Sequence, residues 1–490
     1  MRKIKFMDET IRDGQQSLWA TRMKAKSMFP IASTMDQAGF FCVIVGSGAT
    51  FETGVKFLYE DPWEKLRLLR QLMPNTPLGF VIRGRNIVGW KQYPNDVVDV
   101  MLESLKKVGI DWICVFDGLN DLRNMAYQLK RAKDLGMNAS GTLVFTESPV
   151  HTDEYYAEKG RDLLNLGVDA VVLEDASGIL TPDRARTLIS ALRRAVGDAT
   201  LMFQSHSSTG MAADTFTEAM KHGVDVVSTV SSPLANGDSV PSTIDILQRC
   251  HELGLKAEID EEMIRKMDDF FYWQAYLEKK PIYSPKRFDP IEYAQYAGHQ
   301  IPGGMMSNLT NQLKELGILH RLPEVLEEAA RVRKELGYPV MVTPLSQFVG
   351  VQATFNILEG ERYKTIPEGV RLYAKGFYGE LAAPIDPNVL DRILWDDDYD
   401  TVDPTSYFND SFLEKFKEEN GPFSSDEELL LAVFNSRLTM EDFYRNRKPL
   451  DVNLTLSPLV ELVRELKKRK QIQAVSIEKG SLKLEVNQGK

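Results

Sequence analysis

The chain has 490 residues, 43% of them hydrophobic and 26% charged, which is the usage of a globular protein with core enough for two or three domains. A formal net charge of −11 offers no positive field to a phosphate backbone, so no nucleic acid partner is expected. Cys42, Cys114 and Cys250 are too few and too scattered for a disulfide framework. The N-terminus lacks the apolar run of a secretory signal, and no stretch nears the ~20 apolar residues of a membrane span, so a cytoplasmic setting is expected.

From Lys3 to about Ser231, short apolar or β-branched runs alternate with amphipathic stretches, the pattern of parallel βα units. In chain order the runs are IKFMDE, FCVIVG, PLGFVIRG, DWICVFDG, NASGTLVFT, DAVVLED, TLMFQSH and DVVSTVS. Their number predicts an α/β fold closed as a TIM (β/α)8 barrel over residues 1–285. A doubly wound sheet would need a glycine-rich phosphate turn. Gly46-Ser47-Gly48 lacks the third glycine and reads as a tight turn. Barrel enzymes carry their chemistry on the loops at the C-terminal ends of the strands, where Asp13, Arg83, Asp117, Glu174 and His206 all fall. Gln204 and His206, two apart at the end of the seventh run, point the same way, the spacing of a metal pair.

From about Asp289 the pattern changes to helices with polar and glycine-rich connections, which predicts a mostly helical domain over residues 286–450. Within it, Trp395-Asp396-Asp397-Asp398-Tyr399-Asp400 lacks the glycine and the closing glutamate of a calcium loop and reads as a solvated linker. Residues 451–490 read as a small tail. It begins with a helix ending in Lys467-Lys468-Arg469-Lys470, whose charge complements the helix C-terminus, and continues as two alternating strands around Lys479-Gly480.

Several long motifs stand in order along the chain: RDGQQSLWATRM, GATFETGVKFLYEDPWEKLRLLR, IRGRNIVGWKQYPNDVV, TESPVHTDEYY, HQIPGGMMSNL and VTPLSQFVG. Over about residues 3–385 the chain thereby resembles the carboxyltransferase family of biotin-dependent carboxylases: pyruvate carboxylase, oxaloacetate decarboxylase α subunits and the central subunit of transcarboxylase. The resemblance implies a divalent metal (zinc, manganese or cobalt) at the barrel mouth and transfer of CO2 between carboxybiotin and a small 2-oxoacid or acyl-CoA acceptor. It implies that Arg12 and Thr343 are catalytic and that Arg83, Glu52 and Trp90 contact the acceptor. Gln16 and Ser346 would line a biotin pocket. Asp13, Glu174, Gln204 and His206 would stand at the metal-ligand positions. A threonine hydroxyl suits a symmetrical transfer, since it both gives and accepts a proton.

The family holds its metal with an aspartate, a carboxylated lysine and two histidines in a His-x-His pair. Here Gln204 stands for the first histidine and Glu174 for the lysine. An amide oxygen is a weaker ligand than an imidazole nitrogen, and glutamate keeps the charge of a carboxylated lysine without its reach. Gln15 replaces a histidine, Glu52 an aspartate, Trp90 a tyrosine and Leu345 a serine, so the departures gather where the family keeps its pocket. Two further readings follow: a non-catalytic structural or regulatory paralogue, and a decarboxylase or lyase that works without biotin. Each singled-out residue also has a purely structural reading. Arg12 would then pair with an acid such as Asp8, Thr343 would be a turn residue before Pro344, and His206 a satisfied core histidine.

No Met-Lys-Met biotin attachment motif occurs in the chain. Biotin is therefore expected on a separate biotin carboxyl carrier protein, charged by a biotin carboxylase subunit. The tail looks similar to the segment that precedes the biotinyl domain in bacterial carrier proteins, which makes it either a partner-docking element or a subdomain closing on its own chain. Relatives pair their barrels, so the resemblance also implies a homodimer.

Overall fold

Each of the eight runs forms a strand: β1 Lys3–Asp8, β2 Cys42–Ser47, β3 Leu78–Arg83, β4 Trp112–Phe116, β5 Asn138–Val144, β6 Ala170–Asp175, β7 Thr200–Ser205 and β8 Val226–Thr229. Neighbours pair in parallel, and β1 pairs with both β8 and β2, which closes the sheet into a barrel. The computed structural model describes residues 2–395, 411–452, 454, 466, 474–479 and 482–487. A short β9, Lys256–Ala257, adds to the start of β1 outside the barrel.

The strands read as unbroken apolar runs because both faces are covered. Alternate residues divide between two layers. Met7, Cys42, Ile44, Trp112, Cys114, Ala170, Val172 and Met202 fill the barrel interior. Val43, Val45, Ile113, Val115, Val171, Leu173, Leu201 and Phe203 face outward under the helices. Period two then carries the inward set upward to Arg83, Glu174, Gln204 and His206 at the mouth. The outer helices start where a side chain can satisfy their free N–H groups: Thr181 accepts from Arg184 N at 3.1 Å ahead of Pro182, and Asp61 accepts from Trp63 N at 2.9 Å ahead of Pro62.

A second core lies over the mouth. It is built from the helices Gly303–Glu315, Leu322–Glu335, Leu345–Glu359, Glu368–Ala374 and Pro387–Ile393, around Leu313, Val325, Ala329, Val349, Tyr373 and Ile393. This cap is fastened to the barrel by polar bonds. Arg333 donates to Thr146 Oγ1 at 2.8 Å and to Glu147 O at 3.0 Å, Ser177 donates to Gln300 O at 3.0 Å, and Asn124 donates to Tyr378 O at 2.8 Å.

The stretch expected to form one helical domain over residues 286–450 is divided between the two cores. The helices Phe412–Asn420, Asp426–Phe434 and Arg437–Asn446 bury Leu413, Leu429, Leu430 and Phe443 against the barrel, and not in the cap. Phe434 meets the edges of Phe51 and Tyr93, at 6.2 and 5.0 Å between centroids, while Arg447 pairs with Asp61 at 2.8 Å and Tyr59 donates to Asp442 at 2.9 Å. The expected hairpin in the tail is present as β10 Ala474–Lys479 against β11 Leu482–Asn487, antiparallel. Residues 396–400 of the acidic run and the basic cluster at 467–470 lie outside the described residues.

Candidate active site

A cavity of about 270 Å³ opens at the C-terminal ends of the strands, between barrel and cap. Arg12, Asp13, Gln16, Arg83, Trp90, Glu174, His206 and Thr343 all line it. Arg12 and Asp13 come from the first βα turn, Thr10–Gly14, a single wide π turn whose residues are all buried. Thr343 comes from the cap, just before the helix Leu345–Glu359, with its hydroxyl against Met305 Sδ at 3.9 Å.

Arg12 is the most heavily engaged charge in the site. Its Nε lies 2.8 Å from Glu9 Oε2 and its Nη1 lies 2.9 Å from Asp13 Oδ1. Burial alone would lower its pKa, but Glu9, Asp13 and Glu174 outweigh that and hold it raised. The partner is thus Glu9 and not Asp8, whose carboxylate accepts from the backbone and hydroxyl of Thr10 at 3.1 and 2.7 Å.

His206 is fixed by its neighbour across the mouth. Its Nδ1 donates to the carbonyl of Asp238 at 2.6 Å, which leaves Nε2 facing Asp13 Oδ2 at 3.6 Å. Burial pushes the Glu174 carboxyl up, against the opposing charge of Arg12 and the imidazole of His206. Arg83 donates Nη1 to Gly89 O at 3.0 Å and lies over the ring of Trp90, 4.8 Å from its centroid. Among the described residues no carboxylate lies within ion-pair distance of Arg83. Burial lowers its pKa and the charge of Glu52 opposes that, and from so high an ordinary value the guanidinium stays charged. Gly48 makes room for it, since a Cβ there would stand 2.7 Å from Arg83 Nη2 and 3.0 Å from Val88 Cα.

Three expected site residues lie off this cavity. Glu52, on the helix Gly48–Thr53, accepts from Trp90 Nε1 at 3.1 and 3.2 Å and pairs with Lys56 at 2.5 Å, behind Trp90 and off the cavity. Gln204 sits one inward position below His206, 3% exposed, beside Glu174 in register, and among the described residues its Nε2 has no partner. Ser346 is buried and borders a neighbouring cavity of about 480 Å³ between the helices Gly303–Glu315 and Leu345–Glu359, which shares Trp90 and Met305 with the first. Gln15 and Asp117 are structural. Gln15 holds Met23 N and Ile11 O, and Asp117, its carboxyl pushed up to about 7 by burial, accepts from Leu119 N and Asp121 N.

These positions do not fit the family's metal. Among the described residues no three His, Cys, Asp or Glu side chains converge as a cation requires. One oxygen of Asp13 is taken by Arg12, and the other faces His206 Nε2 at 3.6 Å. Sequence reading also missed Glu9 and Asp238. Asp238 acts here through its main-chain carbonyl, which leaves no mark in residue type, whereas Glu9 was legible as a carboxylate three positions before Arg12.

A closed parallel barrel with a helical cap over a mouth carrying two arginines is the architecture of a carboxyl transferase domain. The carboxyl transferase domain of Rhizobium etli pyruvate carboxylase, solved with pyruvate, superposes with a TM-score of 0.81 at 28% identity, covering 91% of this chain and 77% of that one. A family model described as a conserved carboxylase domain matches residues 297–489. One pyruvate carboxylase subunit from Methanocaldococcus jannaschii is 41% identical over 391 residues, which is 80% of this chain and 68% of the relative. The methylmalonyl-CoA carboxyltransferase 5S subunit of Propionibacterium freudenreichii subsp. shermanii is 36% identical over 390 residues, 79% and 76% of the two chains. The chain belongs to the carboxyltransferase family of biotin-dependent carboxylases. Among the described residues no helix is long and apolar enough to cross a membrane.

Proposed function

We propose that the chain is a carboxyltransferase subunit that moves CO2 between carboxybiotin on a separate carrier protein and a small enolisable acceptor, a 2-oxoacid or an acyl thioester. The observation that carries this reading is the convergence of Arg83, His206 and Thr343, from the C-terminal ends of two strands and from the cap, on one cavity. Relatives support both acceptor classes, since one is named for pyruvate and another for methylmalonyl-CoA. That both are named as subunits supports a separate carrier and biotin carboxylase.

Carboxybiotin is a substrate here. In the forward direction the bond between its carboxyl carbon and ureido nitrogen breaks. The Thr343 hydroxyl takes the proton from the carbon next to the acceptor's ketone or thioester carbonyl, C3 of a 2-oxoacid or C2 of an acyl thioester, while giving its own to that nitrogen, and the enolate carbon bonds to the released CO2. The balance is carboxybiotin plus acceptor giving biotin plus carboxylated acceptor, with no proton gained or lost. Arg83 holds the acceptor's oxygen or carboxylate, because among the described residues no carboxylate pairs with its charge, while Arg12 holds the acidic turn in place. The cap keeps water from the enolate.

The test supplies a carrier labelled in the carboxyl group with a panel of 2-oxoacids and acyl thioesters and follows label onto the acceptor. Transfer to one class identifies it. Absence of transfer to any acceptor, in protein that binds the carrier, refutes the reading in favour of a non-catalytic paralogue. Turnover of an acceptor with no carrier present refutes it in favour of a biotin-independent decarboxylase or lyase.

A further inference from the structure

We infer that the mouth of this barrel works without a resident divalent cation, its internal positive charge being the Arg12 guanidinium. The chemistry this serves is that of the proposed function, but the inference is read from ion binding and stands or falls apart from turnover.

Two sets of contacts carry it. The first is the distribution of charge. Arg12 lies between Glu9 at 2.8 Å and Asp13 at 2.9 Å, so the acidic groups of the first βα turn already have a counter-ion that belongs to the chain. The second is the chemistry of the remaining donors. Asp13 Oδ2 faces Ser17 Oγ at 3.4 Å and His206 Nε2 at 3.6 Å, a pair of ligand-type groups and not a set. Glu174 is the side chain that would have to complete it. Yet no convergent trio of His, Cys, Asp or Glu exists among the described residues. Gln204 offers at most an amide oxygen there, a weaker ligand than the imidazole nitrogen whose place it takes.

Arg83 is the guanidinium of the cavity with which no carboxylate pairs among the described residues, and its N–H groups are donors. Donors select an oxygen, not a cation. An acceptor oxygen held by Arg83 gains in a water-poor site the electrostatic stabilisation that a Lewis acid would otherwise provide. The replacements at positions 174 and 204 act together, since one shortens the reach of a ligand and the other exchanges an imidazole for a weaker amide, while Arg12, Asp13 and Arg83 stay in place.

The test uses the full chain, purified from medium supplemented with zinc, manganese, cobalt and magnesium. Bound metal is measured by plasma mass spectrometry, and melting temperature is followed with each ion and with a strong chelator. The expected result is substoichiometric metal, no thermal shift, and carboxyl transfer unchanged by the chelator. The double substitution Glu174→Lys with Gln204→His supplies the ligand types that are missing and is expected to acquire one ion per chain and melt higher when that ion is added. Stoichiometric metal in the unaltered chain that is lost on Asp13→Ala or His206→Ala overturns the inference, as does a double variant that folds yet takes up no ion. Failure of transfer under every condition refutes the proposed function and leaves the ion measurements to decide this point alone.

Discussion

Substituting Gly48 by alanine tests the placement of Arg83 without touching its charge. The added methyl would lie 2.7 Å from Arg83 Nη2 and 3.0 Å from both the Cα and the carbonyl oxygen of Val88. Ordinary carbon contacts are about 3.5–4.0 Å, so something must withdraw by about 1 Å. The Val88 backbone follows directly on a fold-back in which Arg83 and Ile87 exchange two hydrogen bonds of 3.0 Å, so the guanidinium tip yields first. A displacement of that size in a positioning group is worth up to ~100-fold in rate. Crowding lowers stability by about 1–3 kcal/mol, which the better helix propensity of alanine partly offsets. The assay compares acceptor-dependent transfer with acceptor-independent loss of CO2 from the carboxylated carrier. Only the first is expected to fall, because only the first uses Arg83. Unchanged acceptor kinetics in a folded G48A protein, or equal losses in both reactions, would refute the placement of the acceptor against Arg83.

Arg83→Lys keeps the charge but loses the fork, and with it the bond to Gly89 and the stacking on Trp90. Losing one charge-assisted hydrogen bond, about 1.5–3 kcal/mol, predicts a ~10- to ~150-fold fall in kcat/KM for the acceptor in the same assay. Thr343→Ala should lower transfer by ~100-fold or more while Thr343→Ser retains most of it, measured as label reaching the acceptor. Equal loss in both would point to a packing role. Burial, helped by the charge of Arg333, pushes the His151 imidazole down to about 3. The unfolded chain takes up that proton below about pH 6.5 and the folded one only near pH 3, so this contribution is whole above pH 6.5 and is lost as pH falls. In urea unfolding the advantage of the native chain over His151→Gln is therefore expected to shrink by up to about 3 kcal/mol on going from neutral pH to about pH 4.

The barrel was legible because parallel strands buried on both faces leave unbroken apolar runs, and alternation alone places Glu174, Gln204 and His206 on the inner face. What sequence could not supply was reach. Asp8, Glu9 and Asp13 are all close to Arg12 in the chain, and only the wide turn at Thr10–Gly14 decides that Glu9 and Asp13 meet it while Asp8 turns to Thr10. Glu52 has the right type and neighbourhood for acceptor contact, yet its carboxylate is held by Trp90 and Lys56. The helices from Phe412 onward show an apolar face in their pattern, but a pattern does not say which of two cores that face will meet.

Those returning helices have a consequence for how the protein comes into being. Phe51 and Tyr93, laid down early in synthesis, meet their ring partners Phe412 and Phe434 only when these arrive from the far end of the chain. A nascent barrel emerging from the ribosome therefore presents an oily flank for most of its translation, and a message truncated before Phe412 yields a product with that flank permanently bare. Premature termination is thus expected to produce aggregation or chaperone retention, not a smaller working enzyme.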